Sequence, residues 1–245
     1  MFDSPALPCE RTIFCDPRKV KQSLKIFNST DNVSMIGMFN CTNDVIVDYI
    51  RLADIPNVDS PHQVYGVYMF NNRVVRKLKF LQQDIWTLLK PASFELAWFV
   101  PLDIRRSTSK AIPSLGIYTN QVISVSAACF GLVDKFNGCL AVNFHGFTSE
   151  NHGQDSGPIF EANLSARGIV GFFVDVEIDG HQRENVNDFM SVFIDGVRAP
   201  VGSVIYEKHY AAPAAGGGLL LIDTKLDNDR DSLDNINIEI HFLCD

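Results

Sequence analysis

The chain has 245 residues, a formal net charge of −8 at pH 7, and 46% hydrophobic, 11% aromatic and 20% charged residues. This composition excludes a disordered chain, and the negative charge argues against binding nucleic acid over the whole surface, which requires cationic neutralisation of phosphates. No stretch approaches the roughly 18 consecutive apolar residues of a membrane-spanning helix. The N-terminus lacks the apolar segment of a signal peptide, so we expect a folded protein without a membrane span.

Twelve segments have the character of β-strands. They are short, rich in β-branched and aromatic residues, and separated by Asn, Asp, Ser, Gly or Pro. In chain order they are SLKIFN (23–28), NVSMIGMF (32–39), DVIVDYIRL (44–52), HQVYGVYMF (62–70), SFELAWFVPL (93–102), LGIYTNQVISVSAAC (115–129), GCLAVNFHGFT (138–148), ARGIVGFFVDVEID (166–179), DFMSVFID (188–195), SVIYEKHY (203–210), GLLLIDT (218–224) and INIEIHFL (236–243). Turn residues recur between them at the spacing of a sandwich or barrel.

Apolar residues of the last segment alternate with polar ones, as in a strand with one buried face. The side chains that we expect on the buried face are Ile236, Ile238, Ile240 and Phe242. The intervening side chains, which would face the other way, are Asn237, Glu239 and His241.

One helix is predicted, in RVVRKLKFLQQDIWTLLK (73–90), where apolar residues recur at steps of three or four and Pro91 would end the helix. These apolar residues are Val74, Leu78, Leu81, Ile85 and Leu88. The polar face of this helix would carry the densest basic cluster of the sequence, namely Arg73, Arg76, Lys77 and Lys79. Trp86 in this helix and Trp98 in an apolar strand are expected to pack in the core.

Basic residues form two further clusters. One contains Arg18, Lys19, Lys21 and Lys25, and the other contains Arg105, Arg106 and Lys110. A cationic cluster of this kind is either a solvated face or a contact with RNA or with the acidic surface of a neighbouring subunit. The candidate subunit or RNA contacts are Arg18, Lys19, Lys21, Arg73, Arg76, Lys77, Lys79, Arg105 and Arg106.

Six cysteines are scattered along the chain, at Cys9, Cys15, Cys41, Cys129, Cys139 and Cys244. They form no CxxC pair and have no histidine at zinc-ligand spacing. None of the six histidines begins the His-x-Asp/Glu element of a non-haem iron site. We therefore expect reduced, mostly buried thiols in a protein made in the cytosol, with no metal site and no cofactor.

These patterns predict an all-β fold. The sequence shows no internal repeat and no linker long enough to separate two domains. About twelve strands with one short amphipathic helix fit a single jelly-roll β-sandwich of Greek-key order, in which two antiparallel sheets pack together. We expect an extended N-terminal arm over residues 1–22 and the jelly-roll domain over residues 23–245.

Two passages resemble coat proteins of picornavirus-like small RNA viruses. The run FLQQDIWTLLKPASFELAWFVPL (80–102) is similar to their helix-to-strand passage. The segment GGGLLLIDT (216–224), followed by an acidic turn and a last alternating strand, is similar to the end of those proteins. An extended, proline-bearing arm before the first strand is also common in that family.

The resemblance implies a structural virion protein, an icosahedral capsid subunit that self-assembles or co-assembles with sister subunits around the genome. Such a subunit has no catalytic residues and no cofactor. Its partners would be other capsid subunits in a homo- or hetero-oligomer, with genomic RNA and a host receptor as further candidates. It would be made in the host cytoplasm and would reside in the virion.

A second interpretation comes from GQDSGPIFEANLSARGIVGFF (153–173), which resembles the nucleophile region of chymotrypsin-like serine proteases. A histidine base, an orienting acid and a backbone oxyanion hole activate the serine in that family. The resemblance implies Ser156 as nucleophile with His62 and Asp103 as its upstream partners. One of the two glycines that follow the family's serine is missing here, and we favour a simple turn between two strands.

A third interpretation is a carbohydrate- or receptor-binding β-sandwich. A shallow groove lined by exposed aromatic residues would be its signature.

The acidic segment DTKLDNDRDSLDN (223–235) has three aspartates at positions 1, 3 and 5 of a calcium-binding loop. That loop needs Gly at position 6 and Glu at position 12, where this chain has Ser232 and Ile238. It also needs flanking helices, whereas both flanking segments are predicted strands. We therefore predict an acidic hairpin loop between the last two strands.

Overall fold

The fold was obtained as a computed structural model, which describes residues 6–29, 33–55, 64–79, 84–112, 117–134, 141–145, 158–178, 181–182, 189–208, 217–225 and 235–242. The contacts divide the chain into two compact units, one over Met1–Leu102 and the other over Asp103–Asp245. Antiparallel strand pairs build both units.

The first unit contains one large and one small sheet. Its described elements are β1 (Leu7–Pro8), α1 (Glu10–Ile13), β2 (Leu24–Ser29), β3 (Ser34–Phe39), β4 (Ile46–Ile50), a 3-10 turn (Leu52–Asp54), β5 (Val64–Met69), β6 (Val74–Lys79), β7 (Ile85–Leu89) and β8 (Phe94–Pro101). The large sheet has the order β1-β2-β3-β8-β5-β6, and β4 pairs with β7 in the separate two-stranded sheet. We call this two-stranded sheet the β4–β7 ribbon.

The core of the first unit contains side chains from both of its sheets. The large sheet contributes Ile36, Val67 and Phe99, and the β4–β7 ribbon contributes Ile46 and Ile85. Side chains of a strand point alternately to its two faces. These apolar side chains therefore share the buried face of their strands. The ribbon therefore packs as a second layer on the large sheet.

The second unit is also built from two sheets. Its described elements are β9 (Asp103–Ile112), β10 (Ile117–Leu132), β11 (Ala141–His145), β12 (Ile159–Leu164), β13 (Ile169–Ile178), β14 (His181–Gln182), β15 (Met190–Ile194), β16 (Val197–Arg198), β17 (Val204–Lys208), β18 (Gly218–Asp223) and β19 (Ile236–Phe242). One sheet has the order β17-β18-β13-β10-β9, with β14 beside β13, and the other has the order β11-β12-β19-β15-β16.

One hydrophobic core joins the two sheets of the second unit. Val174 and Leu220 from the first of these sheets share it with Ile238 from the other. Phe160 of β12 and Phe172 of β13 meet edge to face across the two layers, with ring centroids 5.9 Å apart. This β-sandwich-like layering confirms the prediction of an all-β protein.

The alternation predicted for the last strand is confirmed. Ile236, Ile238, Ile240 and Phe242 are buried, and the polar residues between them are half-buried. The strand lies between β12 and β15 in its sheet. Its apolar face therefore covers the middle of the core.

The predicted helix over residues 73–90 is wrong. Val74–Lys79 and Ile85–Leu89 are strands, and residues 80–83 lie outside the described part. Long-range pairing overrides the helical spacing, because β6 pairs with β5 and β7 pairs with β4. The passage that resembled a helix-to-strand passage of coat proteins is therefore built from strands, and α1 has only four residues.

The predicted hairpin at the acidic segment 223–235 is also wrong. β18 pairs with β13 and β17 in one sheet, whereas β19 pairs with β12 and β15 in the other. The acidic segment therefore connects the two sheets of the second unit, and its residues 226–234 lie outside the described part. Strands flank it on both sides, which agrees with the rejection of a helix–loop–helix calcium site.

The start of the chain, predicted as an extended arm over residues 1–22, is partly built into the large sheet. Leu7 and Pro8 pair with β2, and the one-turn α1 follows. Cys9 is 1% exposed, and its backbone N–H donates to the carbonyl oxygen of Lys25. This segment is therefore anchored from residue 7 onward.

The prediction of reduced, mostly buried thiols is only partly right. Cys9 is buried, but Cys15 and Cys41 are free and exposed. Cys129, which is 2% exposed in the core of the second unit, is disulfide-bonded.

Candidate functional site

The outward side of the β4–β7 ribbon carries two parallel rows of side chains. Ile46, Asp48 and Ile50 of β4 are buried, so the residues that alternate with them point outward. The same alternation in β7 turns Trp86 and Leu88 outward. We call this surface the ribbon face, and it consists of Val45, Val47, Tyr49 and Arg51 in one row and Asp84, Trp86, Leu88 and Lys90 in the other.

The centre of the ribbon face is apolar and exposed. Val45 is 55% exposed, Val47 60%, Trp86 60% and Leu88 59%. The register places Val47 opposite Leu88 and Tyr49 opposite Trp86, so the apolar side chains are adjacent. Together they expose on the order of 400 Å² of apolar surface, the size at which a patch on a monomer is often functional.

Aromatic and charged groups meet at one end of the ribbon face. The rings of Tyr49 and Trp86 have centroids 4.6 Å apart, and the Arg51 guanidinium carbon lies 4.6 Å from the Tyr49 centroid. Arg51 also donates from Nε and Nη2 to the two carboxylate oxygens of Asp84. The hydrogen bond from Arg51 to Asp84 raises the pKa of the guanidinium. Trp, Tyr and Arg are the residues most enriched at energetically dominant positions of protein interfaces.

A buried ion pair fastens β4 to the large sheet directly beneath the ribbon face. Lys25 of β2 is 0% exposed, and its Nζ lies 3.1 Å from Oδ1 of Asp48. Ser23 donates to Oδ2 of Asp48 from its backbone N–H at 2.8 Å and from its hydroxyl at 2.6 Å. The Tyr49 N–H donates to Oδ1 at 2.8 Å. The carboxylate thus has partners for both oxygens, as a buried charge requires.

The ionisation of Asp48 depends on these partners. Burial raises the pKa of its carboxyl group, but the hydrogen bonds from Ser23 and Tyr49 and the charge of Lys25 outweigh burial, and the net pKa is lowered. The Nζ of Lys25 also lies 4.9 Å from the Tyr49 ring centroid. Tyr49 therefore connects the buried ion pair below with the exposed aromatic residues above.

A second polar contact fastens β7 to the large sheet. The side-chain amide of Asn72, in the turn between β5 and β6, donates to the hydroxyl of buried Thr87 at 3.1 Å. Glu95 of β8 is 1% exposed and accepts the backbone N–H groups of Asn71 and Asn72 in the same turn. Burial raises the pKa of Glu95 in spite of these donors. Both strands of the ribbon are thus held in place, which makes the ribbon face a rigid surface.

The described structure does not test whether the proposed protease residues lie together. His62 and Ser156 lie outside the described residues. Asp103 is the first residue of β9, where it is opposite Ala127. The segment GIVGFF, which resembles the protease strand, starts at Gly168 and continues into β13 at the centre of its sheet.

The N-terminal basic residues are exposed in the turn after α1. Arg18 makes two hydrogen bonds to the carboxylate of Asp16, at 2.9 and 3.0 Å, and Lys19 lies 3.8 Å from the same group. The hydrogen bond from Arg18 lowers the pKa of Asp16. Lys21 is exposed nearby. A local acidic partner thus already occupies part of this cluster.

The basic residues assigned to the polar face of a helix lie instead on a turn and a strand. Arg73 is exposed in the β5–β6 turn with a φ of 49°, while Arg76, Lys77 and Lys79 belong to β6. Successive strand residues point to opposite faces, so Arg76 and Lys77 cannot form one basic surface. Burial lowers the pKa of Arg76, and its Nη1 atom is buried with no hydrogen-bond partner in the part of the chain that the structure describes.

The third basic cluster lies on β9, where Arg105 is opposite Val125 and Arg106 is opposite Ser124.

Among the described residues, no group of three or more His, Cys, Asp or Glu side chains could hold a metal ion. No helix in the described ranges is long and apolar enough to cross a membrane.

Comparisons with known proteins leave the site to be interpreted on its own chemistry. Neither a protein-family model nor a curated protein matches this chain.

The sequence does not predict the ribbon face, because its pattern assigns Trp86 to an amphipathic helix and this side chain is expected to pack in the core. Trp98 is 4% exposed, as predicted, but Trp86 is 60% exposed. The signal was present in IWTLL (85–89), where Ile85, Thr87 and Leu89 alternate with outward residues. Reading that segment at a period of two would have found the exposed tryptophan.

Proposed function

We propose that this protein is a non-catalytic structural subunit that assembles through its surfaces, as a capsid subunit of a small RNA virus does. The observation that carries the proposal is the ribbon face, a rigid apolar surface with charged residues at its ends. This anatomy, an apolar centre within a polar rim, is typical of protein–protein interfaces. The virion and the icosahedral shell are the specific setting that the resemblance to coat proteins suggests.

In this function the β-sheets hold the contact surfaces in fixed positions. A single jelly roll is the finer fold expected of a coat subunit, and the described strands form two β-sandwich-like units instead of one eight-stranded sandwich. Assembly does not require one strand order, because the contact surfaces determine it. The proposal therefore depends on the ribbon face more than on the sheet order.

Other subunits are the partners that this function requires, whether copies of this chain or sister chains. Genomic RNA and a host receptor are secondary partners in the same proposal. Arg18, Lys19 and Lys21 are the exposed basic residues that an RNA contact would use first. The pairing of Arg18 and Lys19 with Asp16 makes this contact weaker than an unpaired basic cluster would make it.

The experiment that tests the proposal is electron microscopy combined with light scattering on the purified chain, alone and coexpressed with sister subunits. Closed shells or capsomers support it. A chain that stays a monodisperse monomer under both conditions contradicts it. Labelling of wild type by a fluorophosphonate probe, but not of Ser156→Ala, would replace it with the serine-protease interpretation.

A second candidate function, carbohydrate or receptor binding, is favoured by one observation. Trp86 is exposed and lies against Tyr49 beside the Arg51–Asp84 pair, which is the kind of aromatic platform with flanking polar groups that sugars stack on. A glycan array separates the two functions. Binding that Trp86→Ala abolishes would favour this candidate, and an array without binding removes it.

A further inference from the structure

The charged residues of the ribbon face can pair with the same residues on the ribbon face of a second, inverted copy. Arg51 and Asp84 lie side by side at one end of the ribbon face, and Lys90 lies at the other end, beside Val45. The two basic residues therefore lie on one diagonal of the ribbon face, and the carboxylate of Asp84 lies off that diagonal.

From this pattern we infer that the ribbon face packs against the ribbon face of a second copy of this chain, related by a two-fold axis in the plane of contact. The inference rests on the proposed assembly function and names its partner. If the axis runs parallel to the strands, β4 of one copy lies over β7 of the other. Val47 then meets Leu88, and Tyr49 meets Trp86.

The charged residues at the ends of the ribbon face determine which directions of the two-fold axis favour association. An axis along the strands places Arg51 of each copy over Asp84 of the other, and an axis across the strands places Lys90 over Asp84. An axis along the diagonal through Arg51 and Lys90 places each of these cations over its own kind, which opposes association. Aligned packing with strands within roughly 30° is also the common way for two sheets to stack.

The area predicts a weak contact. Four apolar side chains expose on the order of 400 Å² in each copy, about half of the 800 Å² per partner that a stable complex buries. Dimerisation of the isolated chain should therefore be reversible and visible only at high concentration. Many such contacts acting together can hold a larger assembly.

A sugar fits the ribbon face less well than a second copy does. A glycan would use the aromatic end at Tyr49 and Trp86, but it would leave Val45, Val47 and Leu88 without an apolar partner. Those three side chains offer no hydrogen-bond donor or acceptor to sugar hydroxyls. The ribbon face of a second copy would offer apolar partners to all of these side chains.

Sedimentation velocity from about 1 µM to about 1 mM tests the inference on the full chain. Wild type is compared with Leu88→Lys, which places two ammonium groups in the apolar centre of a two-fold contact. The matched control is Val201→Lys, since Val201 is a fully exposed valine of the second unit. Circular dichroism and tryptophan emission establish that each variant is folded.

We expect wild type and Val201→Lys to dimerise alike, and Leu88→Lys to dimerise at least about tenfold more weakly. Lys90→Glu should weaken dimerisation by a smaller factor when the two-fold axis runs across the strands, whereas the exposed Lys21→Glu should not. Equal dimerisation of wild type and Leu88→Lys overturns the inference. So does a wild type that is monomeric over the whole range.

The outcome separates this inference from the proposed function. Shells or capsomers that form equally well with Leu88→Lys leave the assembly function standing and remove the ribbon face from it. The absence of any assembly, alone or with sister subunits, removes the function itself.

Discussion

A double-mutant cycle across the Lys25–Asp48 pair tests whether the β4–β7 ribbon is fastened to the large sheet as the structure indicates. The variants are Lys25→Met, Asp48→Asn and the combination of both. Met keeps a long unbranched stem without the ammonium group, and Asn keeps the volume of Asp without its charge. The cycle therefore changes charge with little change of packing.

The cost of each single substitution follows from burial. Lys25 is 0% and Asp48 5% exposed, so either group left alone is a buried charge without an ionic partner. We expect each single substitution to lower the free energy of unfolding by about 3 to 4.5 kcal/mol.

The double variant should lose no more than either single variant, because neither charge remains. The coupling between the two positions is then at least about 3 kcal/mol. Urea unfolding followed by tryptophan emission measures it, and both tryptophans, Trp86 and Trp98, lie in the first unit. Costs that add to within about 0.5 kcal/mol would refute the proposed fastening.

Two acidic groups and a strained turn provide the remaining predictions. Asp48 has its pKa lowered below 3.8, so its stabilisation is present above that pH and is lost as the pH falls through the folded value. The stability difference between wild type and Asp48→Asn should accordingly shrink in urea titrations as the pH falls below 3.8, and a constant difference contradicts this. Glu95 has its pKa raised above 4.5, so the stabilisation from its protonated form is lost as the pH rises through the folded value. Glu95→Gln should therefore gain stability relative to wild type between about pH 4 and pH 7, and a parallel pH profile would argue against a buried carboxyl group. Gly217 has a φ of 99°, and an added Cβ would lie 2.5 Å from Phe173, so Gly217→Ala should destabilise the second unit by about 2 kcal/mol or more. Far-UV circular dichroism should show the earlier transition while tryptophan emission does not, and Gly202→Ala, at a φ of 92° with open space around it, should cost less.

Local pattern was sufficient to find most strands of this protein. The segment INIEIHFL alternates so regularly that its buried face could be named residue by residue, and the structure agrees. The segment 166–179 could be recognised as a central strand, and Gly171–Val176 is buried on both faces. The alternation of the last strand has a period of two that no helix shares, whereas β-branched and aromatic residues identify the central strand.

Local pattern failed where two periods fit the same residues. Val74, Leu78, Ile85 and Leu88 match helical spacing, but Val74 and Leu78 also share one face of a strand, and so do Ile85 and Leu89. Pairing with strands elsewhere in the chain selects the strand conformation over the helical one. The error concealed Trp86, because the side chain was expected to pack in the core and not on an exposed strand face.

Contacts between distant residues could not be predicted from one sequence. Lys25 and Asp48 are 23 positions apart, and nothing in their flanking residues indicates that they pair. The acidic segment 223–235 looked like a hairpin because strands flank it on both sides. Those strands belong to different sheets, and that depends on the pairing of the whole second unit.

The measurement that tests the central claim most directly is acrylamide quenching of Trp86, made in a Trp98→Phe background so that only the ribbon face emits. The account predicts that quenching falls as protein concentration rises and assemblies form, because Trp86, 60% exposed in the single chain, becomes covered. Quenching that stays constant while larger species accumulate in sedimentation would show that assembly leaves the ribbon face exposed, and it would contradict the account.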